Sequence, residues 1–292
     1  MLQKRFVALL LLAATTSCAR DATQGAPEAD DFGDPIIVRS APRRIVSLNP
    51  ATTDLIFALG AGDRLVGRTH WDVYPEAAKA VRDLGSGIRP NVEAVLGVRP
   101  DLVILYASKD NRAAASELRT AGVNTLSLKI DHIADFYYAS RTIGRLLGDS
   151  ARGAIVADSV ERTLKRVRAT TQSLDKPTVF WHIWDAPLIT IGRGSYMNEL
   201  IEIAGGRNIY GDVDQTSPAV SIEDVLKRNP RYIITGPEGS LKIMKDPRWS
   251  EAPAVRDRRI LVVDTAIVGR PSVRLGEAAE SIARLLHPKE LN

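Results

Sequence analysis

The segment VEAVLGVRPDLVIL at residues 92–105 recurs as IEDVLKRNPRYIIT at 222–235, and this echo constrains the fold more than any other feature. Glu93 falls on Glu223, Pro100 on Pro230 and Ile104 on Ile234. A second pair, DLIFALGAG at 54–62 and ELIEIAGGR at 199–207, sets Gly60 on Gly205 in the same order along the chain. Ordered self-similarity indicates a duplicated structural unit. Within each unit short apolar runs such as Ile45–Leu48 and Leu102–Leu105 alternate with helical periodicity, which predicts an α/β fold with mainly parallel sheet. In the first unit Thr52 or Thr53 is the expected helix cap after the Asn49-Pro50 turn.

Between the units, from about His132 to Leu174, the pattern is helical without strands. SARGAIVADSVERTLKRVRATTQSL reads as one long amphipathic stretch, with Ile155, Val160, Leu164 and Val167 assigned to its buried face, and Lys176-Pro177 ends it. The expected body is therefore an α/β lobe at 36–147, a bridging helix at 148–175 and a second α/β lobe at 176–292.

The N-terminus belongs to neither lobe. MLQKRFVALLLLAATTSC carries Lys4 and Arg5, then an apolar run from Phe6 to Ala14, then small residues. Residues 1–17 read as a secretory signal peptide, too short to span a membrane as a mature helix. Losing Lys4 and Arg5 takes the formal charge from +4 to +2, so the mature chain is near neutral. Cys18 is the only cysteine, so an exported chain of this kind has no intramolecular disulfide and depends on its core. TTSC resembles a bacterial lipobox, which implies lipidation of Cys18. Residues 18–35 are small, acidic and aperiodic, and read as a flexible tether at a membrane surface.

Aromatic residues are scarce, at 5%, yet FWHIWDAPL at 180–188 holds two of the four Trp and one of the four His. A strand here puts Phe180, His182 and Trp184 on one face and Trp181 and Ile183 on the other. Ligands of open α/β sheets sit beyond the carboxyl ends of strands. The first strand of each unit ends at Asn49 and at Trp184, so two facing lobes bring both ends to one cleft, with Trp rings as a wall for a large planar or apolar ligand.

No catalytic motif accompanies this cleft. GRGSY at 192–196 fails the nucleophile-elbow pattern, GAGDRL is no dinucleotide fingerprint, and there is no phosphate-binding loop. Histidines 70, 132, 182 and 287 are scattered without metal-ligand spacing, so neither a resident metal nor a cofactor is expected, although His70, His182 and a carboxylate could meet in space. No basic run interleaved with aromatics points to nucleic acid. The chain reads as a monomeric binding protein rather than an enzyme.

Segments in order from PRRIVSLNPATTDLIFALGAGDRLVGRTHWDVYPEAAK to GRPSVRLGEAAESIARLLHP resemble substrate-binding proteins of metal-chelate ABC importers, the cobalamin, haem and ferric-siderophore class. The resemblance covers about Pro42 to Pro288. It implies two Rossmann-like lobes joined by a single long helix, a ligand cleft between them, little hinge motion, and an exported, periplasmic-side lipoprotein that serves permease subunits. Within the class the sequence is most similar to cobalamin binders, which makes a corrinoid the expected ligand. Trp71 in RTHWDVYP stands where those proteins place a ligand-facing aromatic, and Arg270 falls in a late loop bordering the cleft. Gly87 and Ser217 stand where aromatics would serve a corrin. His70 and His182 keep haem open, and Arg193 and Arg270 keep an anionic siderophore open.

The candidate ligand contacts are thus Trp71, Trp184, Arg270, Trp181, His182, Asn49 and Arg193. Trp181 serves equally as core, Asn49 as a helix cap and Arg193 as a solvated charge, while Trp249 is assigned to packing. Glu93 and Glu223 each follow a capping residue, Asn91 or Ser221, where a carboxylate stabilises its helix by about 0.3–1 kcal/mol. The resemblance implies a second role for them, docking onto arginines of the permease subunits.

Overall fold

The computed structural model describes residues 28–291. Lobe one contains β1 (Ile45–Ser47), α1 (Pro50–Ala58), β2 (Leu65–Gly67), α2 (Val92–Gly97), β3 (Leu102–Tyr106), α3 (Arg112–Thr120) and β4 (Asn124–Leu128). Two antiparallel helices follow, α4 (Ile133–Leu146) and the 22-residue α5 (Ser150–Thr171). Lobe two contains β5 (Thr178–Trp181), the short β6 (Trp184–Asp185) and β7 (Leu188–Ile189), α6 (Tyr196–Ile203), β8 (Arg207–Asn208), α7 (Ile222–Arg228), β9 (Tyr232–Thr235), α8 (Pro237–Lys245), α9 (Pro253–Arg256), β10 (Ile260–Val262) and α10 (Thr265–Val268). The chain closes with α11 (Leu275–Leu286) and α12 (Pro288–Leu291).

Both main sheets are four-stranded and parallel, ordered β2-β1-β3-β4 and β8-β5-β9-β10. In order of appearance within its lobe, each sheet is second-first-third-fourth, so the repeat read from the sequence is a repeat of topology. Its fine structure repeats too. Gly60 and Gly205 end α1 and α6 at φ of 77° and 80°, where a side chain would be strained. Arg99 and Asn229, each preceding a repeated proline, sit at φ of 48° and 45°. Both residues leave the helix through the left-handed region, which non-glycine residues rarely adopt, so each unit turns sharply out of helix into strand.

One apolar cluster runs through both lobes, from Ile45, Leu55 and Phe136 to Trp181, Leu200 and Leu275. Separate clusters fill the outer face of each sheet, around Val103 and Leu118 in lobe one and around Phe180, Tyr210 and Trp249 in lobe two. α4 and α5 cross at a glycine pair: a Cβ on Gly144 would stand 2.7 Å from Gly153 Cα. Ser140 Oγ donates to Gly153 O across the contact at 2.8 Å.

Three local readings are corrected. The buried stripe of α5 is Gly153, Ala157, Val160, Leu164, Val167 and Thr171, whereas Ile155 is 64% exposed. Five residues before Val160, Ile155 lies about 140° around the helix from it. Of the caps the sequence offers for α1, Asn49 is the one used, its Oδ1 accepting from Ala51 N at 3.0 Å, whereas Thr52 and Thr53 are buried within the helix. Residues 28–35 are a folded strap rather than a tether. Asp31 N donates to Ser127 O at 3.0 Å, Asp30 Oδ2 accepts from Ser127 N at 2.9 Å, and Tyr138 donates to Glu28 at 3.0 Å. The strap covers the open edge of β4, which removes a free strand edge. The expected signal peptide and Cys18 lie outside the described residues. Among the described residues no helix is long and apolar enough to cross a membrane.

Candidate functional site

The cleft opens where the carboxyl ends of both sheets face each other. Its lobe-one part, a cavity of about 720 Å³, is bounded by Asn49, Trp71, Gly87, Ile88, Tyr106 and Arg270 among others. Its lobe-two part, of about 550 Å³, is bounded by Trp181, His182, Trp184, Met197, Thr235 and Lys242 among others. Thr265 and Gly269 line both, so the two form one continuous cleft.

Lobe one offers an apolar lip. Trp71 and Ile88 are each 65% exposed, and the Trp71 ring lies 4.6 Å from that of His70. Gly87 admits no side chain, because a Cβ there would stand 2.2 Å from the Leu48 carbonyl oxygen. An aromatic at this position is therefore excluded by the local backbone. Buried Asn111 fixes the loop: its Nδ2 donates to Gly87 O at 2.9 Å and to Tyr106 O at 3.1 Å, and its Oδ1 accepts from Arg89 N at 3.0 Å. Tyr106 donates to Asp131 at 2.6 Å at the floor, and burial pushes its phenol well above the usual range.

Lobe two offers a ring on a polar prop. The alternation in FWHIW holds as far as His182: Phe180 faces the outer cluster at 5.7 Å from Trp249, and Trp181 faces the shared core, only 2% exposed. The chain then leaves the sheet. β6 and β7 pair antiparallel, Trp184 opposite Ile189, which carries the Trp184 ring out to the lip at 57% exposure. Behind it Thr235 meets His182 Nδ1 at 3.0 Å, His182 Nε2 meets Asp185 at 2.9 Å, and Lys242 donates to Asp185 at 2.9 Å. Lys242 Nζ lies 5.6 Å over the Trp184 ring. Burial pulls the His182 imidazole below its ordinary value although Asp185 opposes this, and both ring nitrogens are engaged.

The sequence-derived residues sort accordingly. Asn49, Trp71 and Arg270 meet on one cavity, and Trp181, His182 and Trp184 on the other. Arg193 lies outside the cleft, 61% exposed and 3.4 Å from Asp214, because its backbone is held in a turn against Val213 O at 2.8 Å. His70 and His182 stand on different walls, and among the described residues no three His, Cys, Asp or Glu side chains group to hold a metal. Glu93 and Glu223 are exposed on the first turns of α2 and α7, capped by Asn91 and Ser221. Tyr106, Asn111 and Lys242 escaped the sequence reading. Tyr106 had a signal, since it ends a central strand where parallel sheets place their ligands.

Two parallel α/β lobes, a shared core and an aromatic-lipped cleft define the architecture of a bilobal binding protein. Residues 45–266 match the family model described as periplasmic binding protein, and the chain belongs to that family. The resemblance read from the sequence and the expected two-lobed fold are both borne out. An uncharacterised ABC transporter substrate-binding lipoprotein of Bacillus subtilis (strain 168), YvrC, is 30% identical over 262 residues, 87% of this chain and 82% of the relative. The vitamin B12-binding protein of Vibrio vulnificus (strain CMCP6) is 26% identical over 252 residues, 85% of this chain and 91% of that one. Among solved structures, the periplasmic heme-binding protein RhuT from Roseiflexus sp. RS-1 superposes with a TM-score of 0.77 at 26% identity, covering 84% of this chain and 98% of its own.

Proposed function

We propose that this protein is the substrate-binding component of an ABC importer and that its ligand is a corrinoid. The observation that carries the reading is the pair of exposed rings, Trp71 and Trp184, one on each lip of the cleft. A corrin is a large, partly flat ring edged with amides, which suits ring contacts above and below and a few polar groups at the margin. Trp has only two side-chain torsions to lose, so such contacts cost little ordering entropy. The core common to both lobes keeps the cleft ready before binding, which lowers the cost further. The kinship with the vitamin B12-binding protein of Vibrio vulnificus supports the same ligand.

Delivery uses Glu93 and Glu223, presented at equivalent places on the two lobes for cationic partners on the permease. The chain works as a monomer, exported and held at the cell envelope by lipid on Cys18. Native mass spectrometry after incubation with cyanocobalamin, haemin and ferric siderophores tests the ligand. One corrinoid per chain with quenching of Trp emission is expected; a siderophore adduct in its place overturns the reading.

Haem is the second reading, favoured by the likeness to RhuT and by the exposed His70 imidazole beside Trp71. It predicts haemin binding whose visible spectrum is lost in His70→Ala. His182→Ala is a weaker probe, because both ring nitrogens of His182 are already bonded within lobe two.

A further inference from the structure

The repeat that aligns Gly60 with Gly205 also aligns Asp54 on α1 with Glu199 on α6, and both carboxylates cross the seam between the lobes. Glu199 reaches lobe one, where its Oε1 lies 2.9 Å from His132 Nδ1 and accepts from Ile133 N at 3.2 Å. Its side chain stays 31% exposed, so water shares its charge.

Asp54 reaches the other way, toward the 269–274 loop of lobe two, and its side chain is 1% exposed. Among the described residues neither of its carboxylate oxygens has a hydrogen-bond partner, and Thr53 Oγ1, Asp72 Oδ1 and Arg270 Nη1 are likewise buried without one. Arg270 Nη1 stands 3.7 Å from Asp54 Oδ1, an ion-pair distance too long for a hydrogen bond. The groups around Asp54 come from three elements: Thr53 from its own helix, Asp72 from the loop after β2, and Arg270, Ser272 and Arg274 from lobe two. Arg274 is committed to Glu277 at 2.7 Å and lies 4.6 Å over the Tyr74 ring. Tyr196, on α6, spends its hydroxyl on Val268 O at 2.8 Å.

Two carboxylates and one close guanidinium in a buried seam leave surplus negative charge. A buried ion costs several kcal/mol unless paired and hydrogen-bonded, and a proton is the simplest relief. Burial pushes the Asp54 carboxyl up to about 7; Arg270 opposes the shift and Asp72 adds to it.

We propose that Asp54, Asp72 and Arg270 form a clasp between the lobes that is shut while Asp54 holds its proton and eases as the proton leaves. Arg270 also lines the cleft, so Asp54 acts as a positioning residue for the ligand wall. With the seam shut, Asp54 keeps its proton up to about 7, whereas its ordinary value is 3.8. Between those values the shut form binds more protons, so rising pH favours the opened or unfolded form, and the loss is complete above the upper value.

Thermal melting of the full chain from about pH 5 to about pH 8.5 tests this. The wild type should lose about 5 °C or more across that range relative to Asp54→Asn, in which the loss disappears. Asp72→Asn should move the midpoint of the loss to lower pH and Arg270→Met to higher pH. An unchanged slope in Asp54→Asn overturns the clasp. If Asp54→Asn does not fold, unmoved midpoints in the other two variants overturn it instead. With cyanocobalamin as probe, dissociation from the wild type should quicken about five-fold or more over the same range and stay flat in Asp54→Asn. Binding whose dissociation ignores pH in the wild type overturns the link to the cleft. That arm rests on the corrinoid reading; no cyanocobalamin binding at any pH sinks that reading and leaves melting to judge the clasp.

Discussion

Lobes one and two share a strand order, yet their cleft walls are built by opposite means. Lobe one presents a bare apolar lip, Trp71 and Ile88, on a loop so close to β1 that Gly87 carries no side chain. Lobe two presents Trp184 on a hairpin braced from behind by Thr235, His182, Asp185 and Lys242. Lobe one has no counterpart of that hairpin, because α1 starts directly after the first strand. The difference teaches that a repeated topology supplies the scaffold, while the loops at the strand ends differ and give the candidate site two unlike walls.

The strongest test of this division is removal of both rings. Trp71→Ala and Trp184→Ala should each weaken corrinoid binding by about 1–3 kcal/mol, and the double variant should lose roughly the sum, since the rings stand on separate walls. Calorimetry showing no loss from either single variant would break the comparison. Gly87→Ala comes next. Its new methyl meets a backbone oxygen, so urea unfolding should show about 1–3 kcal/mol lost. Gly97→Ala, where nothing lies within 4 Å, should be neutral or gain up to about 1 kcal/mol. Comparable losses at both would mean that the loop of lobe one yields as freely as its surface. The smallest effect on affinity belongs to Glu93→Ala with Glu223→Ala, which should leave the ligand dissociation constant unchanged while uptake through a reconstituted transporter falls. A double variant that loses ligand instead would move these acids from the permease to the cleft.

The scaffold was legible because it repeats. Gly60 and Gly205 are matching backbone signals, since each meets a demand on φ, and Pro100 and Pro230 each follow a residue in the left-handed region. The aromatic lips were legible because Trp71 and Trp184 lie in stretches that offer them no core. Local periodicity failed where tertiary contact took over. Ile155 fits a helical stripe loosely and faces solvent, and the acidic strap at 28–35 looks aperiodic because its order comes from β4, about 100 residues away. Asn111, Lys242 and Asp54 are ordinary polar residues in sequence. Only the fold brings Asn111 under Gly87, Lys242 over Trp184 and Asp54 beside Arg270.

Under the proposed lipidation of Cys18, the strap would also set the length of a leash. Glu28 is held to lobe one by Tyr138 and Arg145, so an acyl group on Cys18 would reach the body through ten residues, a span of at most about 36 Å. That is close to the width of a small domain. A carrier held so would patrol a layer one protein deep, and its meetings with a permease would become a search over a surface rather than through a volume. Frequent encounters would then need no tight docking, which suits the contact proposed for two exposed carboxylates.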